Sequence, residues 1–122
     1  MPPFATPTLL HNPRCSKSRA AKAWLDEQKI AYQERRYLDE PLDAAELAEL
    51  RKRLDRPARE WVRAGEAEYA EAGLGPGSDD KAILAAMARH PVLIERPILI
   101  LGRRAAVGRP LEKIQELLDD LD

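Results

Sequence analysis

The chain carries its only cysteine in the stretch HNPRCSKSR, residues 11–19. A short apolar run, Thr8-Leu9-Leu10, precedes this stretch, and the pattern after it predicts a helix over about residues 16–29. Cys15 is therefore expected where a strand gives way to a helix, beside the unpaired N–H groups of the helix N-terminus. Those groups supply up to ~2 kcal/mol to a nearby anion, so they lower the pKa of a thiol.

A buried and inert Cys15 is the alternative, since free cysteines are among the most buried residues in proteins. The flanking residues favour the reactive form. His11, Lys17 and Arg19 are positive or polarisable, and such neighbours stabilise a thiolate further. We therefore predict that Cys15 is a nucleophile rather than a packing residue.

The composition limits the classes of protein to which the chain can belong. Its 122 residues carry 20 Lys and Arg against 21 Asp and Glu, so no charge excess predicts binding to nucleic acid or to an anionic membrane. One cysteine excludes an internal disulfide and a cysteine-rich zinc site, and we expect no metal. The sequence shows neither a signal peptide nor a run of membrane-spanning length. We expect a soluble cytoplasmic protein, monomeric by default.

The order of predicted elements favours an α/β fold. The elements are a strand (5–11), a helix (16–29), a strand parallel to the first (31–38), helices (41–90), two strands of an antiparallel hairpin (98–101 and 105–107) and a helix that opens at Pro110. This order is that of a thioredoxin-like fold with a mixed sheet. It predicts one domain, residues 1–122, with a helical insertion at about residues 41–90.

Apolar spacing predicts which face of each helix is buried. Asp43, with Glu46 three residues on, should cap the helix that follows Pro41. The residues expected to face the core are Ala20, Ala23 and Trp24 in the first helix, Leu47, Leu50 and Leu54 in the second, and Leu111, Ile114, Leu118 and Leu121 in the last.

Four separated motifs resemble one protein family. They are HNPRCSKSR (11–19) after the first strand, Arg63 near a short helix, IERPI (94–98) before a strand, and GRP (108–110) at the start of the last helix. With these motifs the chain resembles the glutaredoxin-coupled arsenate reductases, the ArsC family, from about Leu9 to Leu118. The resemblance implies a thioredoxin-like fold and Cys15 as the nucleophile.

The resemblance also implies that Arg63, Arg96 and Arg109 hold the oxyanion and that Pro97 is a cis-proline beside Cys15. A guanidinium suits this task because it stays ionised and its planar fork grips two oxygens at once. Converging cations also offset the repulsion between a thiolate and the negative arsenate. The alternatives are solvated arginines, which must be common among the fourteen of this chain, and an ordinary trans proline that begins a strand.

His11 and Ser18 have supporting roles in this interpretation. His11 is either a capping or strand-end residue, or it tunes the thiol from four residues away, and the sequence leaves both interpretations open. Ser18 stands where a dithiol oxidoreductase has its second cysteine, so the pattern is C-x-x-S. We expect Ser18 to make a local hydrogen bond to a backbone group or to the thiolate.

The single cysteine bears on mechanism, because reduction of As(V) to As(III) takes two electrons and therefore two thiols. We expect glutathione as co-substrate and no tightly bound cofactor, and the resemblance implies that glutaredoxin resolves the mixed disulfide. The expected partners are arsenate or a similar oxyanion, glutathione and glutaredoxin.

Two alternatives stay open. One is a glutathione-dependent thiol oxidoreductase of the same family with another substrate, because glutathione carboxylates also suit arginines. The other is a non-enzymatic redox regulator of the same fold that binds RNA polymerase. Ser18 in place of a second cysteine counts against a disulfide switch of that kind.

Overall fold

The computed structural model describes residues 4–119, which form a four-stranded mixed sheet and the helices that pack on it. The elements are β1 (Thr8–Leu10), α1 (Ser16–Glu27), β2 (Gln33–Arg35), α2 (Ala44–Leu54), α3 (Ala67–Glu71), α4 (Asp80–Arg89), β3 (Ile98–Leu101), β4 (Arg104–Val107) and α5 (Glu112–Asp119), with short 3-10 turns at Ala58–Glu60 and Pro91–Leu93. The architecture is the α/β thioredoxin-like one that the sequence predicts, and β1 and β2 are shorter than expected.

The register of the sheet brings four chain segments to one end of it. In the strand order β2-β1-β3-β4, Leu10 at the end of β1 pairs with Arg35 at the end of β2 and with Ile98 at the beginning of β3. Ile98 pairs in turn with Val107 at the end of β4. We call this the Leu10 end of the sheet. The segments that follow β1, β2 and β4 and the segment that precedes β3 therefore meet there.

The strand pairing itself follows the sequence. β1 and β2 are parallel, and β3 and β4 form an antiparallel hairpin, both as predicted. Leu101 pairs with Arg104, which leaves Gly102 and Arg103 as a two-residue turn at the other end of the sheet. Gly102 has φ of 61°, a left-handed backbone conformation that glycine adopts without steric cost.

The two faces of the sheet bury separate apolar clusters, because successive strand residues point to opposite faces. Leu10 and Ile98 face a cluster that α2 and α4 cover, whereas Leu9 and Leu99 face a cluster that α1 and α5 cover. The first cluster is the larger and includes the fully buried Trp61.

The helix after Pro41 is capped as the sequence predicts. The Asp43 carboxylate accepts the N–H of Glu46, and the Glu46 carboxylate accepts the N–H of Asp43, which completes a capping box. Leu47, Leu50 and Leu54 are buried, so the expected face of α2 is confirmed. Asp79 caps α4 in a similar way by accepting the N–H of Ala82.

The predicted buried face of α1 is correct only in part. Trp24 packs partly buried against the apolar cluster, but Ala20 and Ala23 are exposed. The buried residues of the helix are Ser18, Ala21 and Leu25. Alanine fits either environment, so the alanines did not fix the rotation of the helix, and Leu25 with its i−4 and i−7 neighbours did.

In the last helix Ile114 faces the core as predicted, and Leu117 is also buried. Leu118 is partly buried against the same cluster, and Leu121 lies outside the described residues. No helix within residues 4–119 combines the length and the apolar character needed to cross a membrane.

Candidate active site

The loop between β1 and α1 holds Cys15 at the Leu10 end of the sheet. The N–H of His11 donates to the carbonyl of Arg35 at 2.9 Å, which fixes the loop against the end of β2. Asn12 folds the rest of the loop: its carbonyl accepts the N–H of Cys15 at 3.0 Å, and its Oδ1 accepts the N–H of Arg14 at 3.0 Å. Cys15 is the N-cap residue of α1 and is partly buried.

The Cys15 thiol has a pKa below its ordinary value. Burial raises the pKa, but the N–H groups of Ser18 and Lys17 and the guanidinium of Arg96 together lower it by more. The first turn of α1 thus acidifies the thiol as the sequence predicts.

The basic neighbours act differently from the expectation. Lys17 contributes its backbone N–H. Arg19 donates from Nη1 to the carbonyl of Pro13 at 3.0 Å. Burial lowers the pKa of His11, so His11 is neutral near pH 7. The arginine that stabilises the thiolate, Arg96, comes instead from a distant part of the chain.

Two of the three predicted arginines meet Cys15. Arg109 donates from Nη2 to the sulfur at 3.4 Å, and its Nε donates to the carbonyl of Arg96 at 2.6 Å. The guanidinium of Arg96 lies beside the same sulfur. The sheet register explains this meeting, since Arg96 stands two residues before Ile98 and Arg109 two residues after its partner Val107.

The third arginine, Arg63, is held by two carboxylates. Within residues 4–119 its side chain donates from Nη1 to Glu95 at 2.8 Å and from Nε to Glu66 at 3.2 Å. Its backbone N–H donates to the carbonyl of Leu93, which ties this segment to the chain just before Glu95. The structure therefore places Arg63 next to the cluster of Arg96, Arg109 and Cys15, with its charge paired.

Glu95 joins the arginines, and the sequence reasoning did not single it out. One oxygen, Oε1, lies 2.8 Å from Arg63 Nη1, 3.2 Å from Arg109 Nε and 3.1 Å from the backbone N of Arg96. Side chains of Glu95 and Arg63 are about one quarter exposed, at 25% and 23%. The only sequence signal for Glu95 is its position directly before Arg96 in the IERPI motif.

Two donor nitrogens of Arg96 are buried and, within the described part of the chain, unsatisfied. Its Nε and Nη1 are buried, and neither has a hydrogen-bond partner among residues 4–119. Buried guanidinium N–H groups without acceptors are costly, because they have lost water without a replacement. The guanidinium beside the thiol therefore has donors that nothing among residues 4–119 satisfies.

His11 and Ser18 form a buried pair behind the cysteine loop. The Ser18 hydroxyl accepts the N–H of Asn12 at 3.0 Å and lies 2.7 Å from Nδ1 of His11. Ser18 is fully buried and His11 is nearly so. The pair ties the end of β1 to the first turn of α1, and so it fixes the helix end on which Cys15 stands.

Pro97 and Gly108 pack together below the arginines. The Arg96–Pro97 peptide bond is cis, as the family resemblance implies, and the Arg109–Pro110 bond is cis as well. The N–H of Gly108 donates to the carbonyl of Pro97 at 2.8 Å. A Cβ on Gly108 would lie 2.9 Å from Cγ of Pro97 and 2.6 Å from Cδ1 of Ile114, so only glycine allows this approach.

One family model covers all the segments that form this site. The ArsC family model matches residues 10–117. The chain belongs to the ArsC family. An arsenate reductase of Neisseria meningitidis (serogroup A) is 47% identical over 112 residues, which cover 90% of this chain and 96% of that protein. The solved structure of an arsenate reductase from Vibrio cholerae is 41% identical, with a TM-score of 0.84 over 90% of this chain and 95% of that one.

More distant ArsC relatives include a regulator. The global transcriptional regulator Spx of Listeria innocua is 29% identical over 112 residues, which cover 91% of this chain and 86% of that protein. The chain is therefore similar both to proteins named arsenate reductase and, more distantly, to one named transcriptional regulator. Among residues 4–119 no cluster of His, Cys, Asp and Glu is arranged to hold a metal ion.

Proposed function

We propose that this ArsC-family protein is an arsenate reductase that uses Cys15 as its nucleophile. The observation that carries the proposal is the contact of an acidified thiol with two guanidinium groups, one of which has buried N–H groups without acceptors. A tetrahedral oxyanion supplies acceptors for those groups and an electrophilic centre for the thiolate. The names of the relatives at 41% and 47% identity support arsenate as that oxyanion.

In the proposed first step the Cys15 thiolate attacks arsenic. An S–As bond forms, an As–O bond breaks, and the released oxygen leaves as water after it takes a proton from solvent. Starting from H₂AsO₄⁻, the product is the adduct Cys–S–AsO₃H⁻. Arg96 and Arg109 offset the repulsion between the two anions and hold the oxygens as charge shifts onto them.

The proposed second step needs a thiol from outside, because the chain has one cysteine. Glutathione attacks the sulfur of the adduct, and the electron pair of the S–As bond passes to arsenic. Arsenic is thereby reduced to As(III) as H₂AsO₃⁻, and the two sulfurs are oxidised to a Cys15–glutathione disulfide. Glutaredoxin then exchanges its thiol for Cys15 and releases the reduced protein.

A coupled assay tests the proposal. The purified protein is supplied with arsenate, glutathione, glutaredoxin, glutathione reductase and NADPH, and the consumption of NADPH is followed. We expect turnover that needs both arsenate and glutathione and that Cys15→Ser abolishes. Turnover that persists in Cys15→Ser, or that needs no added thiol, would contradict the mechanism.

The similarity to a transcriptional regulator gives a second candidate function. Pull-down of RNA polymerase subunits with this protein, beside the arsenate assay, separates the two candidates. Binding of polymerase without arsenate turnover would favour the regulator. The C-x-x-S pattern at Cys15 and Ser18 favours the enzyme, because two cysteines are needed for an internal disulfide.

A further inference from the structure

Tyr37 is a buried tyrosine whose hydroxyl is unused. Its side chain is fully buried, and its Oη has no hydrogen-bond partner among residues 4–119. Buried tyrosines nearly always find a partner for the hydroxyl, since an unpaired one loses its bonds to water without compensation. The ring packs in the large apolar cluster with Leu10 and Ile98. Packing accounts for the ring, and a phenylalanine would meet that need; it does not account for the hydroxyl.

The position of Tyr37 puts that hydroxyl in the candidate active site. Tyr37 follows β2 by two residues, and the end of β2 is bonded to the cysteine loop through the carbonyl of Arg35. The spacing repeats that of Arg96 before β3 and Arg109 after β4. The charges that act on the hydroxyl are those of Arg96, Arg63 and Cys15. Four strand ends thus each bring one polar group to the same place.

The hydroxyl of Tyr37 and the unused donors of Arg96 complement each other. A guanidinium can only donate, whereas a phenol accepts one hydrogen bond and donates another. The guanidinium of Arg96 is close enough to lower the pKa of Tyr37, so the phenol hydrogen points away from that cation and the phenol oxygen faces it. The other charges that act on the hydroxyl are Arg63, which can only donate, and the Cys15 sulfur, which already accepts from Arg109, so an entering anion brings the free oxygen acceptors that the O–H lacks.

We propose that Tyr37 is a further oxyanion-binding residue, whose hydroxyl donates a hydrogen bond to an oxygen of the anion that Arg96 holds. The proposal rests on the proposed function for the identity of the anion. The sequence shows no sign of this role, because the pattern of residues 31–38 predicts only a strand.

The protonation state of Tyr37 agrees with a donor role. Burial raises the pKa of Tyr37 to about 12, although the neighbouring guanidinium of Arg96 lowers it. The hydroxyl therefore keeps its hydrogen throughout the pH range in which the protein works. It adds a donor to the site without adding charge, so it can bind oxyanions of one or two negative charges without ionising itself.

The test uses Tyr37→Phe and measures anion binding separately from turnover. Cys15 is alkylated with iodoacetamide, a neutral reagent, at increasing concentrations of arsenate or inorganic phosphate, and the concentration that halves the rate gives the affinity. In Tyr37→Phe we expect this concentration and the KM for arsenate to rise about tenfold or more, the cost of losing a hydrogen bond to a charged acceptor. The alkylation rate without anion should change less than twofold.

Tyr32→Phe is the matched control. Tyr32 also belongs to the region of β2, but its hydroxyl bonds to Asp26 at 2.7 Å and to Lys22 at 3.0 Å on the surface. Tyr32→Phe should leave unchanged both the protection of Cys15 against alkylation by the anion and the KM for arsenate. Equal protection in wild type and Tyr37→Phe would overturn the proposal. A uniform fall in kcat and thermal stability without a change in KM or protection would show a packing role and overturn it as well.

A second measurement does not depend on how well Tyr37→Phe folds. Fluorotyrosine is incorporated into Cys15→Ser, and the ¹⁹F signals of Tyr32, Tyr37 and Tyr69 are followed as arsenate is added. Only the Tyr37 signal should shift; an unchanged Tyr37 signal while arsenate binds would refute the contact. Wild-type protein that arsenate protects but that shows no coupled turnover would refute the reductase proposal alone.

Discussion

The N-terminus of α2 is capped by side chains, and the N-terminus of α1 is not. At α2 the Asp43 carboxylate accepts the N–H of Glu46 in the first turn, and the Glu46 carboxylate accepts the N–H of Asp43. At α1 the N-cap residue is Cys15, whose side chain makes no capping hydrogen bond, and the N–H groups of Lys17 and Ser18 lie near its sulfur instead. Capping residues stabilise a helix by about 1 kcal/mol. Side chains thus cap the N-terminus of α2, whereas at α1 the free N–H groups lower the pKa of the Cys15 thiol.

The largest expected effect comes from replacing the sulfur. Cys15→Ser and Cys15→Ala should both abolish arsenate turnover in the coupled assay, because neither provides a thiolate. Serine is a good N-cap and alanine a poor one, so Cys15→Ser should be the more stable of the two by about 1 kcal/mol in urea unfolding. Equal stability would mean that the N–H groups of α1 are not available to a side chain.

Arg96→Lys separates the effect of the positive charge beside Cys15 from the effect of the planar guanidinium geometry. Lysine keeps the charge but loses the planar fork and the two buried N–H groups, so turnover of arsenate should fall by about 10²-fold. The alkylation rate of Cys15 by iodoacetamide should change far less. Arg103→Lys, in the turn at the other end of the sheet, is the control and should match wild type. A parallel loss of alkylation and turnover would show that Arg96 acts only through the pKa of the thiol.

Gly108→Ala disturbs the packing of Gly108 against Pro97 and Ile114, next to Arg109. The added methyl group would press on Pro97 and Ile114, and overpacking of this kind costs about 1–3 kcal/mol. We expect a lower free energy of unfolding and, because Arg109 is the next residue, a lower rate of arsenate turnover. Gly77→Ala should be silent in both assays, since nothing lies within 4 Å of the Cβ it would add.

Asp43→Ala removes the cap of α2 and tests the other half of the comparison. The free energy of unfolding should fall by about 1 kcal/mol, with arsenate turnover unchanged. Asp79→Ala at α4 should behave alike, since its carboxylate also accepts a first-turn N–H. A loss of turnover in the stably folded Asp43→Ala protein would show that the capped helix end also shapes the active site.

The smallest effect is a dependence of stability on pH. The pKa of Cys15 is lower in the folded protein than in the unfolded chain, so the folded state is stabilised where the thiol is ionised. The difference in free energy of unfolding between wild type and Cys15→Ser should therefore rise with pH above the folded pKa and level off above about 8.5. It should be lost as the pH falls through the folded pKa. Urea unfolding at pH 6, 7.5 and 9 measures it, and a difference that falls with pH would show that burial outweighs the helix end.

Local patterns predicted the parts of the fold that local physics controls. The capping box at Asp43, the stripe of Leu47, Leu50 and Leu54, and the hairpin around Gly102 each depend on residues a few positions apart. The rotation of α1 did not follow from its alanines, because alanine is tolerated both in the core and on the surface. It depends on the sheet against which Leu25 packs.

The site was predicted less completely because its members meet through strand register. Motifs of the family pointed to Cys15, Arg96 and Arg109, and the structure brings these three together. The pairing of Arg63 with carboxylates and the three contacts of Glu95 depend on how a loop in the helical region crosses the beginning of β3. No spacing in the sequence encodes that crossing, and the same is true of the hydroxyl of Tyr37.

The length of the two-residue turn at Gly102 and Arg103 sets the position of the Arg109 side chain at the opposite end of the sheet. Side chains alternate along a strand, so inserting or deleting one residue in this turn would slide β4 past β3 and rotate Arg109 to the other face. Changes of sequence in the turn would be tolerated if they kept its length. In a library of turn variants, arsenate turnover would then depend on the number of residues in the turn rather than on their type. The length of the turn at one end of the hairpin would control the position of Arg109 at the other end.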